Sequence, residues 1–206
     1  MKEKLISHIL KSSFPCVMAK AVVKTGLLKV HTQQSLDPRN FLKNIYSFID
    51  DFREKRSRLS SFVLVLENND LSFERFEEMF WDFLREANHE DKKYYPHDPR
   101  VKSHPEDNEF SYSLKSEAFF ILALHPDSPR KSRQFTYPAI VFNPHQQFEN
   151  MRKNGIFNKV RTMIRMKDKI LQGTINPMLQ DFGERSEVFQ YLGKIYLPND
   201  PIPLHI

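Results

Sequence analysis

Cysteine and glycine are scarce in this chain of 206 residues, which contains one cysteine and five glycines. A single cysteine excludes an internal disulfide and a zinc site with several cysteine ligands. Five glycines argue against the glycine-rich loops that hold nucleotide phosphates. The longest apolar run, residues 118–124, is far short of the about 20 residues that a transmembrane helix needs, and residues 1–14 lack the apolar region of a signal peptide. We therefore expect a cytoplasmic protein that does not span a membrane.

Phenylalanine and charged residues, in contrast, are abundant. The chain has eighteen phenylalanines, 40 % hydrophobic residues and 28 % charged residues. This composition is typical of folded globular proteins rather than of disordered ones. A chain of this length is long enough to bury a sizeable core. Because no repeat, low-complexity tract or flexible linker interrupts it, we expect a single domain over residues 1–206.

The charge is distributed unevenly along the chain, although the net charge is only +5. Residues 67–98 contain ten acidic and four basic side chains, a net charge of −6. Residues 130–169 contain ten basic and two acidic side chains, a net charge of +8. One interpretation is two solvated helix faces of opposite sign. The other is that the basic stretch binds an anion, such as a nucleic-acid phosphate or the carboxylate of a cofactor.

Apolar residues at helical spacing predict five amphipathic helices. Asp37-Pro38 and Asn143-Pro144 each combine a capping residue with a proline suited to the first helical turn. Ser72 is a suitable N-cap for a further helix, and Gly155 ends one. The predicted helices cover residues 2–12, 38–57, a long segment that begins at residue 73, about 145–154, and 157–171.

Short apolar and β-branched runs predict the strands. We expect a hairpin from residues 17–23 and 27–31 around Lys24-Thr25-Gly26, and buried strands at 61–66, 118–124 and 137–142. Residues 92–112 read as a loop, and the last 30 residues as a segment that wraps the surface. Together these elements predict an α+β fold with a mainly antiparallel sheet flanked by amphipathic helices.

Cys16 follows a proline at the start of the predicted strand 17–23. A lone cysteine is most often a small buried hydrophobe. As a thiolate it could serve as a nucleophile or an iron ligand, but only in a site that depresses its pKa. Both interpretations stay open at this point.

His125 and His145 flank the two strands that we expect to pair. His125 precedes a turn that carries Arg130 and Arg133, and this segment reads either as a site at the sheet edge or as an ordinary surface turn. His145 lies in the first turn of a helix, where the helix dipole disfavours imidazolium. A neutral imidazole on a strand-to-helix corner suits a metal ligand, although a structural histidine explains it equally well. A hairpin of these strands separates the two histidines by roughly 20 Å, too far for one metal.

Several segments resemble the YqcI/YcgG family in order along the chain. They are FPC (14–16), LHPDSPRKSRQF (124–135), YPAIVFNPHQQFE (137–149), IR-x-x-D (164–168), INPML-x-D-x-G (175–183) and SE-x-x-QY-x-G (186–193). The family includes the haem-dependent N-hydroxylase of guanitoxin biosynthesis. The resemblance therefore implies a haem b monooxygenase that N-hydroxylates a small guanidine- or amine-containing compound, with dioxygen and an external electron donor. A non-catalytic haem sensor or carrier is the first alternative, and a nucleic-acid-binding protein that uses its basic face is the second and less favoured one.

Haem needs apolar walls, an axial ligand and cations for its propionates. For the walls the chain offers Phe119, Phe120, Phe135, Phe142 and Phe148. Arg130 and Arg133 are the expected propionate ligands. For the axial ligand we favour His145, with Cys16 as a close second and His125 as a third candidate. His125 is otherwise expected to act catalytically on the distal or propionate side. A homodimer stays open as well, although no heptad pattern supports one.

Overall fold

Six α-helices and five strands form the part of the chain that the computed structural model describes, residues 1–54, 59–197 and 199–206. The helices are α1 (Lys2–Leu10), α2 (Val17–Lys24), α3 (Pro38–Glu54), α4 (Phe73–Asp91), α5 (His145–Lys153) and α6 (Phe157–Gln172). The strands are β1 (Leu28–Gln33), β2 (Ser61–Leu66), β3 (Tyr112–Leu114), β4 (Glu117–Leu124) and β5 (Ala139–Pro144). Short 3₁₀ helices cover Lys131–Arg133 and Glu187–Gln190. None of the helices described is long and apolar enough to cross a membrane.

The strands form one sheet in the order β1-β2-β5-β4-β3. Only β1 and β2 pair in parallel, and the other three pairings are antiparallel. The α+β prediction with a mainly antiparallel sheet is therefore confirmed. The expected hairpin of β4 and β5 is also present, with Phe119 opposite Pro144 and Leu124 opposite Ala139. His125 and His145 consequently follow opposite ends of this hairpin.

The sheet separates two apolar layers because side chains alternate between the faces of a strand. On one face, α3 and α4 pack with side chains that include Phe62, Phe119 and Phe142. On the other face, Leu5 and Ile9 of α1 pack against a cluster that includes Val63, Val65 and Leu124. The second face is the one that also carries α2, α5 and α6, and it holds the cavity described below.

The predicted hairpin over residues 17–31 is wrong, because residues 17–24 form the helix α2. The β-branched valines suggested a strand, but the Cys16 side chain caps a helix by accepting from the Ala19 N–H, and Val22 is buried. Gly26 has φ +70° and lies just after the end of α2, so it does not form the turn of a hairpin. The strand that follows pairs with β2, which lies more than thirty residues further along the chain.

The last 30 residues do more than wrap the surface. Val188, Tyr191 and Leu192 are fully buried in the core layer of α3 and α4. The Tyr191 carbonyl accepts a hydrogen bond of 2.7 Å from the Ala123 N–H of β4. The burial of this segment could not be predicted from the sequence, because its apolar residues follow no periodic pattern. The loop expected over residues 92–112 ends at residue 112, where β3 begins. Residues 55–57 of the helix predicted over 38–57 lie outside the described residues.

Candidate functional site

A cavity of about 290 Å³ lies between the second face of the sheet and the helices that cover it. Its floor is made by side chains of β2, β4 and β5 that point to this face, including Val63, Leu122 and Val141. Its walls come from α1, α2, α5, α6 and the C-terminal segment. The lining is predominantly apolar, as in sites for cofactors and small ligands.

Helix α6 contributes one side of the cavity through residues at helical spacing. Phe157, Val160 and Ile164 line the cavity, as do Arg161 and Arg165 on the same side of the helix. Both arginines interact with Asp181, and all three side chains are partly exposed. This cluster therefore marks a place where the cavity reaches the protein surface.

Cys16 lines the cavity, but it caps α2 rather than starting a strand. Its Sγ accepts a hydrogen bond of 3.4 Å from the Ala19 N–H. Burial raises the pKa of the Cys16 thiol, and this outweighs the hydrogen bonds and the positive charge of Arg133 that favour the thiolate. The cysteine is therefore a protonated thiol at neutral pH, which is not the depressed pKa that a reactive cysteine needs.

His145 lines the same cavity as the first residue of α5. Burial lowers the pKa of His145 to about 4, so its imidazole is neutral at neutral pH. The sequence also predicts a neutral ring, although from the helix dipole rather than from burial. The ring packs against Phe182 with a centroid distance of 4.5 Å, and its Nε2 lies 3.7 Å from Oε1 of Glu187.

Glu187 is the functional candidate that our reading of the sequence missed. Its side chain is buried, lines the cavity and accepts a hydrogen bond of 2.9 Å from the Ser111 hydroxyl. Burial raises the pKa of Glu187 to about 8, so the group is largely protonated at neutral pH. The SE-x-x-QY segment at 186–191 contains this residue, but only the path of the C-terminal segment brings it beside His145.

The protonated state of Glu187 makes the stability of the chain depend on pH. The Glu187 carboxyl loses its proton near pH 4.5 when unfolded and near pH 8 when folded, so its contribution to stability is lost as the pH rises between these values. His145, with the opposite shift, opposes this loss only below pH 6.5. Between pH 6.5 and pH 8 we expect the free energy of unfolding of the wild type to fall by about 1–2 kcal/mol more than that of Glu187→Gln.

Urea unfolding at several pH values measures this difference. Glu3→Gln, which changes an exposed carboxyl on α1, is the matched control and should follow the wild-type curve. If the free energy of unfolding of Glu187→Gln also changes with pH as that of the wild type does, the fold does not keep the Glu187 carboxyl protonated.

Arg133 is a buried cation that lines the cavity. Its Nη2 donates a hydrogen bond of 3.4 Å to the Gln190 carbonyl, whereas its Nη1 has no hydrogen-bond partner in the described part of the chain. Burial lowers the pKa of Arg133 to about 10, so the side chain keeps its charge at neutral pH. A buried charge with a free donor is costly unless an anion satisfies it, and Arg133 is therefore a candidate for binding an anion in the cavity.

Gly193 makes room for the Arg133 side chain. A Cβ atom on Gly193 would lie 2.9 Å from Cγ of Arg133, and the glycine adopts φ +73°. We expect Gly193→Ala to lower the free energy of unfolding by about 1–2 kcal/mol through backbone strain and by a further amount through the clash. Gly26→Ala is the control, because Gly26 has φ +70° with nothing within 4 Å of the added Cβ. Thermal unfolding of both variants measures the difference, and equal losses would contradict the contact.

Arg130 does not line the cavity with Arg133. It forms a buried ion pair with Asp168 of α6 and donates to the Thr174 carbonyl at 2.9 Å. Its charge is therefore already compensated inside the protein. The two arginines that the sequence groups together thus have different roles, one structural and one available to a ligand.

The predicted aromatic wall is divided by the sheet. Phe120 and Phe148 line the cavity and contact each other, whereas Phe142 is buried on the opposite face with α3 and α4. Phe119 lies with Phe142, because it is out of phase with Phe120 along β4. Phe135 packs in the cluster of α1 beside the cavity and does not line it. Phe119, Phe135 and Phe142, which were also expected in the cavity wall, therefore do not line this cavity.

His125 is also separated from the cavity. Its ring stacks on Phe76 of α4 at a centroid distance of 5.2 Å, and its Nε2 lies 3.0 Å from the Leu71 carbonyl oxygen. The residue is fully buried, and burial lowers its pKa. The expectation that His125 acts beside the cofactor is therefore corrected: it is a satisfied structural histidine at the other end of the hairpin.

Three carboxyl groups line the cavity, those of Asp168, Asp181 and Glu187. The first two interact with arginines, and the third is beside His145. Across residues 1–54, 59–197 and 199–206, no three His, Cys, Asp or Glu side chains gather into a group that could hold a metal ion.

Comparison with known proteins gives a family match over nearly the whole chain. The model of the YqcI/YcgG family matches residues 3–205. Among curated proteins, the chain is 25 % identical to the uncharacterized protein YcgG of Bacillus subtilis (strain 168), over 83 % of this chain and 71 % of that protein. It is 23 % identical to the uncharacterized protein YqcI of the same strain, over 86 % of this chain and 74 % of that protein. No solved structure matches.

Proposed function

Because the chain belongs to the YqcI/YcgG family, we propose that its cavity binds haem b and that the protein N-hydroxylates a small guanidine- or amine-containing compound. The observation that carries this proposal is the meeting of three predicted residues in one cavity. His145, Cys16 and Arg133 come from separate segments of the chain, and all three line the same apolar space. We place the reaction in the cytoplasm, in keeping with a single free cysteine.

The side chains of the cavity fit the chemical needs of haem. The porphyrin supplies four nitrogens to its iron, so that the protein has to provide only one axial ligand. The apolar floor suits the macrocycle, and the free Nη1 donor of Arg133 suits a propionate. Arg130 is no longer needed for this purpose, because Asp168 compensates its charge.

His145 is a better axial ligand than Cys16. A ligating histidine must be neutral, and burial keeps the pKa of His145 low enough for that at any pH near 7. A ligating cysteine must be a thiolate, whereas burial raises the pKa of Cys16. We therefore propose His145, rather than Cys16, as the residue that would ligate the haem iron. We propose Glu187 as its positioning residue, because its Oε1 lies 3.7 Å from Nε2 of His145 and a carboxyl group that closes this distance to a hydrogen bond would fix the orientation of a ligating ring.

Bound haem supplies the activation of dioxygen, and the chain supplies the environment. The overall reaction is R–NH₂ + O₂ + 2 e⁻ + 2 H⁺ → R–NHOH + H₂O. Arg133 would hold an anionic group of the cofactor, Glu187 would orient the imidazole of His145, and the apolar lining would exclude water from the reacting nitrogen. The electrons come from an external donor.

A haem sensor or carrier would use the same cavity without turnover and is the second candidate. The nucleic-acid alternative loses support, because five arginines of the basic stretch are committed elsewhere. Arg133 is buried at the cavity, and the other four form ion pairs, namely Arg130, Arg152, Arg161 and Arg165.

Spectroscopy and mass spectrometry together test the proposal. Protein purified from cells supplied with haem precursor should show a Soret band and retain haem at a ratio near one to one. With dithionite or a protein reductant and air, an arginine-like or amine compound should gain one oxygen atom. A chain that takes up no haem on reconstitution contradicts the proposal, and haem binding without any oxygenated product favours the sensor or carrier.

A further inference from the structure

Helix α6 has an exposed apolar stripe on the side that faces away from the cavity. We call this surface the outer face of α6, and it consists of Ile156, Lys159, Met163, Met166, Lys169 and Ile170. These positions recur at helical spacing. Met166 is 62 % exposed and Ile170 is 83 % exposed, which is unusual for apolar side chains on a helix that packs on a protein. Such a stripe indicates a surface that contacts another molecule.

The charge around this stripe has one sign. Helix α6 carries five basic residues, and its single acidic residue, Asp168, is buried against Arg130. Lys159 and Lys169 are exposed, so the outer face presents positive charge around an apolar centre. A surface of this kind attracts an acidic partner electrostatically and then holds it through apolar contacts.

The opposite side of the same helix lines the cavity. The residues of α6 that line the cavity include Val160, Ile164 and Arg165. Met163 and Met166 lie on the other side of the helix and are exposed. An α-helix with its side chains is about 10 Å thick. A molecule seated on the outer face is therefore separated from the cavity by one helix.

We propose that the outer face of α6 docks an acidic one-electron carrier protein, which delivers the electrons of the reaction. This inference rests on the proposed haem chemistry, which requires two electrons per turnover. Two encounters with the reduced carrier would each supply one electron to the haem-dependent reaction and leave the carrier oxidised by one electron. The two electrons, two protons and one oxygen atom of O₂ leave as water, and the other oxygen atom forms the N–OH bond.

Charge reversal on the outer face tests the docking. The probes are a [2Fe–2S] ferredoxin and a flavodoxin, both acidic, with affinity measured by calorimetry on haem-free and haem-loaded protein at low and high salt. We expect Lys159→Glu with Lys169→Glu to weaken association by about tenfold or more at low salt. Met166→Ser with Ile170→Ser should weaken it by a similar factor while leaving the salt dependence as in wild type.

The matched control is Lys43→Glu with Lys92→Glu, which reverses two exposed lysines on the opposite layer of the protein. This variant should bind both carriers as wild type does. Stopped-flow reduction of the haem gives a second measurement: the carrier should reduce the Lys159/Lys169 variant more slowly, whereas dithionite should reduce it at the wild-type rate.

The outcomes separate the docking from the haem proposal. Absence of haem uptake contradicts the proposed function, while carrier affinity for the haem-free chain still tests the surface. Haem uptake with no binding of either carrier, or equal binding by the outer-face and control variants, overturns the docking. The docking is also overturned if the outer-face variants instead abolish self-association in sedimentation, or binding to phosphatidylglycerol vesicles, without changing carrier affinity.

Discussion

Replacing His145 with alanine is expected to abolish the Soret band of the purified protein, whereas Cys16→Ser should leave it in place. The neutral imidazole of His145 is the axial ligand in our assignment, and the Cys16 thiol is held protonated by burial. Loss of the proposed iron ligand should lower haem affinity by more than about 100-fold, because changes in the neighbours of a ligand alone cost about 10–100-fold. Absorption spectra and haem titration of the three proteins measure this effect.

The reduced protein with carbon monoxide identifies the ligand independently. A histidine-ligated haem gives an absorption maximum near those of globins, and a thiolate-ligated haem gives the red-shifted maximum typical of P450 enzymes. His125→Ala is the matched control, since this buried histidine contacts Phe76 and lies away from the cavity. If Cys16→Ser loses the haem and His145→Ala keeps it, the axial assignment is reversed.

Replacing Asp168 with asparagine is expected to be the most destabilising of these substitutions. The Asp168 and Arg130 side chains are 5 % and 7 % exposed, and the pair joins α6 to the 3₁₀ helix Lys131–Arg133. Without the carboxylate charge, the guanidinium of Arg130 stays buried with only uncharged oxygen atoms as partners, among them those of Thr174. Removing one partner of a buried pair costs about 3–5 kcal/mol, and we expect a loss of this size in urea unfolding.

Asp181→Asn provides the matched control for this substitution. Asp181 also lines the cavity and pairs with Arg161, but both side chains are partly exposed, at 38 % and 29 %. Solvent screens such a pair, so that its loss should cost less than about 1 kcal/mol. A loss at position 168 no larger than the loss at position 181 would show that the Arg130–Asp168 pair does not anchor α6.

The long helices and the central strands could be predicted from the sequence because their signals are local. The apolar spacing of α3 and the continuous apolar run of β2 each define an element without reference to the rest of the chain. Residues 17–24 carry three β-branched valines beside two alanines, and only the packing of α2 against α1 and α6 decides for the helix. Local patterns therefore fail where tertiary contacts decide between two similar propensities.

The kinds of side chain in the candidate site could be predicted from the sequence, but the full set of residues that line the cavity could not. His145, Cys16 and Arg133 were selected for their chemistry, and they share the cavity. Strand alternation already implied that Phe119 and Phe120 face opposite sides of the sheet, so that they could not form one wall. The position of Glu187, in contrast, depends on a contact between residues far apart in the sequence, which no local pattern contains.

The C-terminal segment also sets the order in which the protein becomes able to bind a ligand during synthesis. Glu187, Gln190 and the backbone at Gly193 support His145 and Arg133, although those two residues precede them by more than forty positions. The five strands and the helices α1 to α6 are therefore all synthesised before the residues that complete the cavity. Completion of the cavity is therefore a late event that follows release of residue 193 from the exit tunnel, and nascent chains stalled before that point should lack both the complete cavity and the core contacts of Val188, Tyr191 and Leu192.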